Sequence, residues 1–157
     1  MSEFILTSPA FDAGGTIPRE HTRNGDNLSP PLEFSGIPAG TVTLAVIMDD
    51  VTDPAKPVNG WALWNVPPLA ALPAGVPAEA TIRGLGGAVQ SGAYHNHSYR
   101  GPKRIRFGAA RTYKFTAYAL DTVIDEPPTA FAEEFLATAH GHILGQASLS
   151  GTYKNEE

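Results

Sequence analysis

The chain predicts a mostly β domain, a β-rich α+β architecture with one or two short helices and long loops. Three observations carry that class. Apolar and polar residues alternate with period two in several separate stretches. The 157 residues include 16 glycines and 14 prolines, punctuation that suits strands joined by irregular loops. Only one segment, after "DEPPT", has convincing helical periodicity.

The elements follow in chain order. "FILTSPAF" reads as an opening strand that Pro9 confines to an edge or an end. "DNLSPPLEFSGIP" reads as a Pro-rich loop. "TVTLAVIMDD" reads as a strand, with Val42, Leu44, Val46 and Met48 on one face and Thr41, Thr43, Ala45 and Ile47 on the other. "WALWNV" is a second apolar strand, stopped by Pro67 and Pro68. "PPLAALPAGVP" is a Pro-rich connection with room for a single helical turn, and "GLGG", Gly84 to Gly87, is a flexible connection. "TYKFTAYAL" is a third strand, placing Tyr113, Phe115 and Ala117 opposite Lys114, Thr116 and Tyr118. The helix takes Thr129 as N-cap and Glu133 and Glu134 in its early turns. Phe131, Phe135, Leu136 and Ala139 form its apolar stripe, and Gly141 is its stop. "ILGQASLSGTYK" is the last strand.

The length fits one domain over residues 1–157, and a hydrophobic content of 42% is ordinary for a globular chain. A net charge of -5 argues against nucleic acid and anionic membranes as partners. Cysteine is absent, which excludes disulfides, thiol catalysis and Cys-ligated zinc. No stretch approaches the ~18 apolar residues of a membrane span, and the N-terminus carries no positive leader. A cytoplasmic protein without stable membrane insertion is the expectation. Against the acidic balance, 6 of the 11 basic residues lie between Arg100 and Lys114, and no Asp or Glu falls between Glu79 and Asp121. Such a stretch is either a solvated loop or one wall of an anion site.

Few residues offer chemistry on their own. Asp49 and Asp50 end a strand, with Asp53 close by, and serve either turn chemistry or a cleft. The spacing is not that of a calcium loop. Of five histidines (His21, His95, His97, His140, His142), two pairs stand at i, i+2, but neither has a further ligand at helical spacing. No metal or cofactor is therefore expected. Neither a nucleophile elbow, a P-loop nor a dinucleotide fingerprint is present. The expectation is a binding protein rather than an enzyme.

Five segments in order, "FDAGGTIPREHTRNGDNLSPPLEFSGIP", "MDDVTDPAKPVNGWALWNVP", "YRGPK", "RTYKFTAYALD" and "GHILGQASLSGTYK", cover nearly the whole chain. Together they resemble the phosphatidylethanolamine-binding protein family, in particular its small bacterial Raf-kinase-inhibitor-like members. The resemblance implies a large sheet packed on a smaller one, few peripheral helices, and a small anion-accepting pocket where strand-end loops converge. It places the pocket aspartate of a D-P-D-x-P motif at Asp50, with Asp49 as second choice, the Gly-Pro pair at Gly101 and Pro102, and the pocket tyrosine at Tyr113. Two histidines of the family's pocket are replaced here, one by Gly60 before Trp61 and one by Arg111. Gly60 is expected to leave room for a larger head group or for His95 or His97. Main-chain N–H groups around Gly101 are expected as further donors. Arg111 stays charged at any accessible pH and suits an oxyanion. The ligand-binding set is thus Asp50, Gly60, Gly101, Pro102, Arg111 and Tyr113. The anion site is expected to be wide and insensitive to pH between about 6 and 8. Arg100, Lys103, Arg104 and Arg106 would rim it. The resemblance also implies a small anionic or phosphorylated ligand, a kinase or protease as protein partner, and a homodimer. The alternatives are an interaction protein with a vestigial pocket, whose contact face would include Trp64 or Tyr118, and a phosphoesterase using Asp50 and Arg111.

Overall fold

A computed structural model of the chain describes residues 3–92, 96–103 and 110–154. Among the described residues nine strands form two antiparallel sheets. β1 (Ile5–Thr7), β2 (Leu32–Ser35) and β5 (Ala71–Leu72) make the smaller sheet in the order β1-β2-β5. β3 (Thr43–Asp50), β4 (Val58–Val66), β6 (Thr81–Ile82), β7 (Ala88–Gln90), β8 (Arg111–Leu120) and β9 (Ile143–Tyr153) make the larger one, ordered β6-β7-β4-β3-β8-β9. The expected architecture of a large sheet on a smaller one is what the chain adopts.

Period-two alternation in β3 explains the layering. Leu44, Val46 and Met48 face the smaller sheet and join Phe34, Trp61, Leu63, Phe115 and Tyr99 in one core. Ala45 and Ile47 face the other way and pack with Trp64, Tyr118 and Phe135 under helix α1 (Ala132–Ala139). β3 is thus buried on both faces, which is why its apolar run is nearly continuous. Trp64 stacks on Phe135 with centroids 5.1 Å apart, and Tyr118 meets the same ring edge-on at 6.4 Å. Both aromatics are core residues, so they form no contact face.

Several local expectations are corrected. β2 lies inside the segment read as a loop, because Leu32 and Phe34 must alternate inward to close the smaller sheet. The Pro-rich connection holds the two-residue strand β5 instead of a helical turn. Helix α1 starts later than expected. Its N-cap is Phe131, not Thr129, since Ala130 N–H still closes a turn on Pro127 C=O. Glu134 accepts the Phe131 N–H at 2.9 Å, and Phe131 itself is exposed rather than part of the apolar stripe. β1 is the edge strand that Pro9 implied.

Register then sets the site. At one end of the larger sheet, Asp50 lies opposite Tyr113 of β8 and Val58 of β4, while Asp49 lies opposite Lys114 and Asn59. Between Met48↔Trp61 and Asp49↔Asn59 the β3–β4 ladder slips by one residue, and Gly60 is the extra residue on β4.

Candidate functional site

A cavity of about 650 Å³ opens at this end of the larger sheet, lined by Arg23, Asp49, Asp50, Gly60, Gly101 and Tyr113 among others. Four of the six expected binding residues, Asp50, Gly60, Gly101 and Tyr113, therefore share one hollow. Pro102 is buried behind it, and Arg111 reaches it through Asp50.

Asp50 and Arg111 meet directly. Arg111 donates from Nη2 at 2.7 Å and from Nε at 2.8 Å, both to Asp50 Oδ2. The other carboxylate oxygen, Oδ1, accepts the Thr52 N–H at 2.9 Å. Burial alone would raise this carboxyl, but the hydrogen bonds from Thr52 and from Arg111 outweigh it and hold Asp50 below the usual carboxylate range. The pair is locally neutral. Arg111 is thus taken up by Asp50 and does not stand as an open oxyanion fork.

Tyr113, 5% exposed, stands opposite Asp50 in the register and two residues from Arg111 on β8. Burial and the Asp50 charge push its phenol up, against hydrogen bonds from the Lys103 main chain and Arg111. Asp49, the second choice for the pocket acid, points to the α1 side of the sheet by alternation. Burial raises its carboxyl in spite of Asn59, whose Nδ2 donates to Oδ1 at 3.1 Å, and of the Lys114 charge.

Three expectations fail here. The room at Gly60 is filled: a Cβ there would lie 2.6 Å from the Arg100 carbonyl oxygen and 2.6 Å from Met48 Cε. Glycine at this bulge lets two backbones touch, and Arg100 N–H donates to Gly60 C=O at 2.9 Å. His97 does not enter that space. Its Nδ1 bonds Gln90 C=O at 2.9 Å, and its ring packs over Gly92. The Gly101 N–H is not a spare donor either, because it is donated to Asn27 Oδ1 at 2.9 Å. A Cβ on Gly101 would meet His21 C=O and the Tyr99 ring, both at 2.6 Å, so glycine is again required by close approach.

The same contacts reveal a residue that sequence reasoning passed over. Arg23 lies in the 3–10 and turn region before β2. Its Nε donates to Gly101 C=O at 2.9 Å and its own N–H to Pro102 C=O at 2.8 Å. Asn27 completes the clamp by donating Nδ2 to Tyr99 C=O at 2.8 Å. Segment 20–29 thereby fixes the Gly101–Pro102 wall, and Arg23 joins Arg100 in lining the cavity. Burial and the neighbouring Arg100 charge both lower the Arg23 guanidinium. The only signal was the basic residue inside "REHTRNGDNLSPP", whose contact with residue 101 spans 78 residues of sequence.

The wall is rigid on its other side as well. Trp61, fully buried, donates Nε1–H to Gln90 Oε1 at 2.7 Å, and Gln90 Nε2 donates to the carbonyls of Pro77, Glu79 and His97. Trp61 is therefore a packing residue of this wall. His95, Arg104 and Arg106 lie outside the described residues. His142 pairs with Asp121 at 2.8 Å. Among the described residues no group of three or more His, Asp or Glu could hold a metal, and no helix is long and apolar enough to cross a membrane.

Comparison with known proteins agrees with this architecture. The family model described as phosphatidylethanolamine-binding protein matches residues 7–154. A UPF0098 protein of Methanothermobacter thermautotrophicus is 38% identical over 154 residues, covering 95% of this chain and 97% of that one. Among solved structures, a phosphatidylethanolamine-binding protein homolog from Chlamydia trachomatis superposes with a TM-score of 0.84 at 31% identity, covering 99% of this chain and 100% of that one. E. coli YbcL shares the fold, with a TM-score of 0.82 at 23% identity over 99% of this chain and 100% of its own. The chain belongs to the phosphatidylethanolamine-binding protein family.

Proposed function

We propose that the chain is a non-enzymatic binding protein that takes a small anionic group, phosphate or a phospho-head-group, in the cavity at the end of the larger sheet. One observation carries this reading: two arginines, Arg23 and Arg100, line a hollow whose wall at residues 100–102 is fixed by hydrogen bonds to Arg23, Asn27 and Gly60. A backbone wall already ordered before the anion arrives lowers the cost of capture. Asp50, Gly60, Gly101, Pro102, Arg111 and Tyr113 act in it mainly as structure, holding the cationic rim in place. The expected cytoplasmic location and the modulation of a kinase or protease by the loaded protein belong to the same reading. Isothermal titration of inorganic phosphate and phosphoethanolamine tests it. Saturable 1:1 heat is expected, and no heat with either ligand would end the proposal.

A second reading, an interaction protein acting through its surface, is favoured by β9. Ile143–Tyr153 contains no charged residue and lies at the edge of the larger sheet. Thr152 faces outward, bonding Gly15 and Ile17. By alternation the main-chain groups of Gln146 and Ser148 also point outward, and they find no main-chain partner among the described residues. An uncharged open edge is a template for strand addition, and the homodimer would form there. Ser148→Pro removes an outward N–H without touching the internal ladder, so it should yield a folded monomer by light scattering. A dimer unchanged by this substitution would exclude the β9 edge.

A further inference from the structure

We infer that Arg23 and Arg100 form a clamp that selects a doubly charged phosphomonoester over a singly charged phosphodiester. This rests on the cavity being the anion site, and it names the ligand class for that site. Positive charge in the hollow is unevenly compensated. Arg111, the residue placed at a family pocket position, is already neutralised by Asp50 through two short contacts to one oxygen. Arg23 and Arg100 are not neutralised. Among the described residues neither has a carboxylate within ion-pair distance. Asp49 and Glu133 also line the hollow, but Asp49 faces the α1 side of the sheet and Glu133 stands on α1 itself.

The two cations are held together by the fold. Arg23 is anchored through its Nε to Gly101 C=O at 2.9 Å, and among the described residues no carboxylate pairs with its Nη groups. Arg100 is anchored through its main chain to Gly60, and among the described residues no carboxylate pairs with its guanidinium. Two like charges confined to one rim repel, and burial around Arg23 increases that cost. A ligand of charge close to -2 relieves the repulsion on both. A ligand of charge -1 satisfies only one. A phosphomonoester has its second ionisation near pH ~6, so at pH 7.5 it is largely a dianion, whereas a phosphodiester stays a monoanion. The lipid-embedded head group is a diester and the free metabolite or phosphorylated side chain is a monoester, so the clamp points to the second source.

The test compares phosphoethanolamine with glycerophosphoethanolamine by calorimetry at pH 7.5 and low salt. Both probes carry the same ammonium group and differ in phosphate charge. Wild type should bind the monoester at least about tenfold more tightly, the scale of one added charge-assisted contact. Arg100→Gln should weaken the monoester about tenfold and leave the diester nearly unchanged, which abolishes the preference. Arg23→Gln should do the same. Arg100→Lys keeps the charge and should keep the preference, whereas a merely structural role would lose both ligands together. Equal affinity for the two probes, or a preference that survives Arg100→Gln and Arg23→Gln, overturns the clamp while leaving the anion cavity standing. Failure of wild type to bind either probe removes both.

Discussion

Gly60→Ala is the sharpest perturbation of the pocket wall. The added methyl lies 2.6 Å from Arg100 C=O, 2.6 Å from Met48 Cε and 3.3 Å from Met48 Sδ. The thioether can rotate away cheaply, because methionine is unbranched and adaptable. The carbonyl cannot, since Arg100 N–H is bonded back to Gly60 C=O at 2.9 Å and the next residue is clamped by Asn27 and Arg23. Relief requires the two backbones to part by several tenths of an ångström. Overpacking of this kind costs about 1–3 kcal/mol, and the weakened hydrogen bond adds about 1 kcal/mol. For a chain of this size the sum lowers Tm by roughly 5–15 °C in a thermal melt followed by circular dichroism. Met48→Leu in the same background should recover little, because Met48 is the yielding partner. Gly60→His, which restores the family's side chain, should be worse than alanine. A Gly60→Ala protein with unchanged Tm and unchanged phosphate affinity would refute the steric reading.

Three further outcomes follow from the same geometry. The Asp50 carboxyl is held below its unfolded value, so its stabilisation is complete above about pH 4 and disappears as pH falls through the lowered folded value. Asp50→Asn should therefore cost about 1–2 kcal/mol at pH 7, reduced by the partial exposure of Arg111, and should lose less on further acidification than wild type in urea melts. Sulfate keeps its charge across the neutral range and the cavity's cations are guanidinium groups, so sulfate affinity should be flat between about pH 6 and 8. A steep change there would require a histidine at the site. Asn27→Ala removes both bonds that tie Tyr99 and Gly101 to the turn. It should cost about 1–3 kcal/mol by chemical denaturation and weaken phosphate, and Asn27→Asp, which adds a carboxylate beside the arginine-lined wall, should weaken phosphate at least as much.

The long elements of the larger sheet were legible because their residues alternate over eight or more positions. β3 and β8 could be assigned face by face, and the pairing of Asp50 with Tyr113 follows once they are neighbours. β2 was not legible. "LEFS" is four residues between Pro31 and Gly36, and it becomes a strand only because β1 and β5 flank it. Helix α1 was placed correctly as an element and wrongly at its start, since nothing local tells Thr129 from Phe131 as the last residue outside. In the site, the meeting of Asp50 with Arg111 was expected. What each then has left for a ligand was not, because it depends on Thr52 and on the angle at which the guanidinium arrives. Gly60 shows the same limit. A missing side chain reads as space in a sequence, but here it marks a bulge where another backbone has moved in. Arg23 was hidden because its role exists only through contacts to residues 101 and 102, far along the chain.

The central claim is that the hollow at the end of the larger sheet captures an anion, and amide chemical-shift mapping during a phosphoethanolamine titration tests it most directly. The account predicts saturating shifts concentrated at Arg23, Asp50, Gly60, Arg100, Gly101 and Tyr113. Saturating shifts centred instead on the smaller hollow between Pro73 and Leu85, or none above background anywhere, would contradict it.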